Sequence, residues 1–165
     1  MLRYFHILIL LLIAAPALAQ EPAGCDKFKW PLDREKTLLA SPTELASGGE
    51  MVKPLAAAVN VTLLPFAEAK LPTPPSRALK SPDSYAGFIR VPAPPIATTY
   101  RITLTQGAWI DVVQDGREVK STAFSGATGC EGLRKSVKFD LAAKPFVILL
   151  SGTTAHAMAV VVTPD

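Results

Sequence analysis

His156, Cys25 and Cys130 are the residues from which chemistry would most readily be built, and there are few of them. The other histidine, His6, falls in a leading apolar segment, so His156 stands alone in the rest of the chain. Nucleophilic catalysis would need that imidazole beside a serine and a carboxylate. Ser125, Ser136 and Ser151 are available, yet none sits in a Gly-x-Ser-x-Gly elbow, and Ser151-Gly152 suits a turn. With no His-Glu-x-x-His and no clustered cysteines, zinc has no ligand set, and neither a metal nor another cofactor is expected. The expectation is a chain without catalytic residues. A small periplasmic hydrolase using His156 or carboxylates is the alternative.

Carboxylates are the remaining enzymatic resource. Asp111 and Asp115 flank a hairpin and Glu131 stands in a cysteine loop, and paired acids serve glycoside hydrolysis. Trp109 shares a strand face with Asp111 and Val113, so an aromatic ring beside an acid would suit a sugar groove. The plainer account, and the one expected, makes Trp109 a core residue and Asp115 a turn residue. The most distinctive segment is 125–135, where Cys130 lies among Gly126, Gly129 and Gly132 and Arg134-Lys135 closes the loop. The glycine spacing is no phosphate cradle, because no helical pattern follows it. A pinned cationic loop suits an anionic glycan or partner. The plainer account is a glycine-shaped turn with a solvated basic pair. Trp109, Asp111, Arg134 and Lys135 are therefore the candidate ligand-binding residues.

The compartment decides what the cysteines do. Residues 1–19 are apolar except for Arg3, His6 and Pro16, and end on Ala17-Leu18-Ala19, a small-x-small cleavage pattern. This predicts a signal peptide removed after Ala19, with no membrane span left, and a periplasmic or secreted bacterial protein. Without that segment the chain is roughly 45% hydrophobic, an ordinary globular value. Export to an oxidising compartment lets Cys25 and Cys130 form one disulfide between the N-terminal arm and a late loop. The net charge of +3 is small, and acids intersperse the bases after Ile96, so nucleic acid is not an expected partner.

The elements that must position these residues fall into two regions. Eight of fifteen prolines lie in residues 65–95, which forbids helix or central strand through most of that stretch. Residues 70–84 read as an extended proline-rich connector. Before it, residues 33–40 predict a short helix with Trp30, Leu38 and Leu39 as buried contacts, and Ser41-Pro42-Thr43-Glu44 offers a capping box cut short by Gly48-Gly49. Val59, Val61 and Leu63 alternate with polar residues and predict one strand. From Tyr85 onward period-two alternation dominates: Gly87, Ile89, Val91; Tyr100, Ile102, Leu104; Val137, Phe139, Leu141. Asp115-Gly116 suits a type I′ hairpin, with a return strand over residues 117–124. The nearly continuous apolar runs at 146–150 and 156–163 predict central strands. The expected fold is mainly β, an antiparallel β-sandwich of jelly-roll kind, with an open barrel as the alternative. The expected division is a signal peptide at 1–19, an N-terminal arm at 20–84 and the sandwich at 85–165 packed with that arm.

Tyr100-Arg101-Ile102-Thr103-Leu104, Ala108-Trp109-Ile110-Asp111-Val112-Val113 and residues 146–152 resemble the pre-peptidase C-terminal β-sandwich modules over about the last 65 residues. That resemblance implies a secreted sandwich. The acidic calcium clusters common in those modules have no counterpart among these residues. Residues 25–30 and 129–137 resemble an uncharacterised group of exported proteobacterial proteins, and proteins similar to these sometimes carry a homogentisate dioxygenase name. Ring cleavage of that kind needs iron on two histidines and a carboxylate. One imidazole cannot supply it, so the residues do not support such a label. The functional expectation is a binding or accessory module for a glycan, an anionic ligand or an envelope protein.

Overall fold

The computed structural model describes residues 21–165, so the signal segment expected at 1–19 lies outside the described residues. Two sheets face one another as a sandwich, and no barrel closes. The first has six strands in the order β1 (Thr43–Ala46), β2 (Val59–Thr62), β11 (Ala157–Pro164), β5 (Thr98–Leu104), β9 (Lys135–Leu141), β8 (Ser121–Gly126). The second has five: β3 (Leu64–Pro65), β4 (Tyr85–Val91), β10 (Phe146–Thr153), β6 (Trp109–Gln114), β7 (Arg117–Val119). Neighbours pair antiparallel except β1 and β2, which run parallel.

The period-two pattern does what it predicts. Val61, Ile89, Ile102, Val112, Phe139 and Ile148 all point between the sheets and are buried, whereas Arg90, between Ile89 and Val91, is exposed. The two continuous apolar runs become β10, between β4 and β6, and β11, between β2 and β5. β11 needs apolar residues on both sides because its outer face is also covered: Val160 and Val162 enter the main core, while Val161 packs outward with Leu32, Leu39 and Leu133.

That outer cover is the N-terminal arm. The expected helix forms as α1 (Asp33–Leu39), with Leu39 buried and Leu38 half-buried. Trp30 is half-buried rather than buried, donating its Nε1 to Ser136 Oγ (3.2 Å) beneath the Lys138 ammonium (4.5 Å from the ring centroid). The arm supplies three strands where the alternation pattern predicts one. Thr43 and Glu44 do not start a helix. They belong to β1, because pairing with β2 satisfies their backbone at the sheet edge where a helix would meet Gly48-Gly49 before completing two turns.

Cys25 and Cys130 are joined, with Cα atoms 4.7 Å apart. Beside them Thr128 N donates to Pro22 O (2.9 Å) and Gly24 N to Thr128 O (2.8 Å). Gly129 and Gly132, at φ 67° and 73°, supply the left-handed turns on either side of Cys130.

Asp115 and Gly116 both have positive φ, 52° and 72°, as a type I′ turn demands, and Gln114 faces Arg117 across it. The return strand is not continuous, however. It leaves the five-stranded sheet after Val119 and enters the six-stranded one at Ser121, so residues 117–124 are two strands in different sheets. Because β7 is so short it pairs only with residues 112–114 of β6. Trp109, Ile110 and Asp111 have β10 on one side and no strand on the other.

Candidate functional site: a cationic cleft

The missing strand leaves a cleft of about 450 Å3 between the start of β6 and the paired strands β8 and β9. Its walls are apolar where they meet the core: Ile110 from β6, Val137 from β9, Phe124 from β8 and Leu79 from the connector. Phe124 lies opposite Val137 in the register, on the inward face, yet is 63% exposed because nothing faces it from the other sheet. Four cationic side chains line the same cleft: Arg77 and Lys80 from the connector, Arg134 and Lys135 at the entry to β9.

Three of the four sequence candidates meet here. Trp109, Arg134 and Lys135 line the cleft, and Asp111 stands beside Trp109. Trp109 is not core. Alternation sends Ile110 and Val112 inward and leaves Trp109 half-buried, with Lys135 Nζ and Arg77 Cζ each 5.1 Å from its ring centroid. Asp111 is buried and fully engaged. Its Oδ1 accepts from Trp109 Nε1 (2.9 Å) and Ser76 Oγ (2.5 Å), and its Oδ2 accepts from Ser76 N (3.1 Å). It therefore ties the proline-rich connector to β6 and orients the indole, so that Arg77 and Lys80 reach the cleft.

Lys135 donates to Ala108 O (2.8 Å), at the uncovered end of β6. Burial holds its ammonium below the usual lysine range, and repulsion from Arg77 and Arg134 pushes in the same direction. Arg134 donates to Ala127 O (3.4 Å) and pairs with Glu21. The basic pair is thus built into a wall rather than freely solvated.

The catalytic alternatives find no such convergence. His156 is exposed in the turn before β11, its ring 4.2 Å from that of Tyr85, and none of the described hydrogen bonds joins the imidazole to a serine or a carboxylate. Ser125 accepts from Lys29 N and Ser136 from Trp30 and Thr103, beneath the N-terminal arm. Asp115 pairs with Lys144 (2.6 Å), away from the bonds that hold Asp111, and Glu131 is exposed. Among the described residues no three His, Cys, Asp or Glu side chains cluster.

Sequence patterns did not point to Arg77, Lys80, Phe124 or Glu21. Arg77 and Lys80 belong to an irregular connector with no periodicity, and Phe124 belongs to a strand whose change of sheet leaves no mark in its alternation. No family model matches the chain, and neither a curated protein nor a solved structure matches it.

Proposed function

We propose that this protein is an exported binding or accessory module that captures an anionic ligand in the cleft between β6 and β8. The observation that carries this is the convergence of Arg77, Lys80, Arg134 and Lys135 around Trp109 in a concave, partly apolar site. Glu21 and Asp111 offset only part of these four like charges, and the electrostatic cost that remains is one a bound anion relieves. The volume is within the range of small-ligand sites. An export-like leader and the Cys25–Cys130 bridge support a periplasmic or extracellular setting, where the anion would be a free solute or part of a glycan or envelope protein.

Thermal shift against glucuronate, short-chain carboxylates, sulfate and phosphate tests this. At a hundredfold excess over Kd a specific ligand adds about 2.7 kcal/mol of stability. Lys135→Met is expected to weaken that ligand about tenfold or more, the scale of a charge-assisted hydrogen bond. Equal shifts in wild type and variant, or none with any anion, would overturn the proposal.

Affinity should also depend on pH. The ligand favours protonated Lys135, whose folded pKa is lowered, so binding is full below that value and falls as pH rises through it, before the ordinary 10.5 is reached. Titrating the same ligand from neutral to alkaline pH reads this directly, and a flat profile shared with Lys135→Met would contradict it.

A further inference from the structure

Glu21 already places a carboxylate in the cleft. Its side chain pairs with Arg134 although 64% of it is exposed, so little burial holds it there. The backbone puts it in place: Pro22 and Gly24 are bonded to Thr128 on either side of Ala23, and the bridge at Cys25 closes the segment onto the same loop that carries Arg134. The segment therefore presents an anion to the cleft from within the chain.

Building on the anion-binding role proposed above, we infer that the ligand is a carboxylate on an apolar body, and that Glu21 occupies its anion subsite until displaced. The planar guanidinium of Arg134 matches a carboxylate in two-point geometry, and Glu21 demonstrates that a carboxylate reaches it. Behind that contact the walls are Leu79, Ile110, Phe124 and Val137. A small hydrated ion would leave this apolar surface wet, whereas a ring or short acyl chain covers it. Exposed Phe124, held on the inward face without a facing strand, is the wall such a body would bury. Lys135 supplies the second cation: burial and two arginines disfavour its ammonium, Asp111 and Glu21 offset part of that, and an incoming carboxylate takes over the share that Glu21 supplies.

The test uses the oxidised protein and 4-phenylbutyrate, followed through the indole N–H resonances. Trp109 lines the cleft and Trp30 lies on the outer face of the other sheet, so one reports and the other is an internal reference. The acid is expected to shift Trp109 and not Trp30, and its uncharged amide is expected to shift neither. Glu21→Gln should tighten the acid about two- to fivefold, the scale of removing one exposed ion pair as competitor. An unchanged or weakened affinity in Glu21→Gln would overturn the competitor role while leaving the cleft as a binding site. Equal binding of the amide would overturn the carboxylate. Tighter binding of an acetylated, amidated Glu-Pro dipeptide than of the acid would overturn the apolar body and assign the carboxylate to a peptide. Failure of every anion to bind both proteins would instead remove the anion-binding role itself.

Discussion

Replacing Cys25 and Cys130 by serine is expected to cost about 2–5 kcal/mol of folding stability. The bridge spans 105 residues, a long loop, and in the chain-entropy account closing roughly 100 residues restricts the unfolded chain by about 4.7 kcal/mol. Native packing adds to this. Cys130 is buried in the outer cluster with Leu32, Leu39 and Val161, so the bridge holds the arm against the outer face of β11. Urea denaturation of the oxidised wild type and of the double serine variant measures the difference. A midpoint within experimental error of wild type would show that the arm packs without its covalent tie. The variant carries a second signature, because loosening the segment around Pro22 releases Glu21 from Arg134. Anion affinity in the cleft should rise in the protein that remains folded, even as its stability falls.

Arg101→Met is expected to be comparably damaging, at about 3–5 kcal/mol, for a different reason. Glu35 is 2% exposed at the interface of α1 with β11, where Thr163 Oγ1 donates to it (2.5 Å) and Arg101 Nη1 lies 3.5 Å away. Removing the arginine leaves a buried carboxylate with a hydroxyl and no counter-charge. It also removes a bond to Pro31 O (3.0 Å) that anchors the start of the helix. Glu35→Gln keeps an acceptor for Thr163 and carries no charge, so its cost should be closer to 1 kcal/mol. If the two substitutions cost the same, the ion pair is not what holds the helix to the sheet.

The same network makes the fold acid-sensitive. Asp165 is held below the ordinary carboxylate range, first by the hydrogen bond from Lys138 (2.7 Å) and then by Arg101 (2.6 Å). Its folded pKa is depressed, so its contribution is fully present above the ordinary 3.8 and is lost as pH falls through the folded value. Arg101→Met should reduce that acid-side dependence along with overall stability.

Period two made most of the sandwich legible. Ile89, Ile102 and Phe139 had to share one face of their strands because a sheet alternates its side chains, and 146–150 and 156–163 had to be central because they leave no polar face for water. The positive backbone angles wanted at Asp115-Gly116 likewise depend on those two residues alone. Edges were not legible in this way. β1 is exposed along most of its length and exists through its pairing with β2, and the two-residue β3 is too short for any pattern.

The candidate site divides along the same line. Trp109, Arg134 and Lys135 stood out by residue type and by a cysteine and glycines nearby, which are local properties. That they share one cleft with Arg77 and Lys80 follows from a crossing between sheets at Lys120 and from Ser76 docking on Asp111, contacts that span dozens of residues. Asp111 shows the difference most plainly. Its strand face was readable from alternation, but whether it would meet a ligand or the chain itself depended on where the prolines laid the connector. By itself the sequence determined the strand core and the hairpin turn, because each is set by neighbours along the chain. Only the tertiary structure decided that a strand would be missing beside Trp109 and that four cations would gather there, because a gap between sheets is a property of non-local pairing.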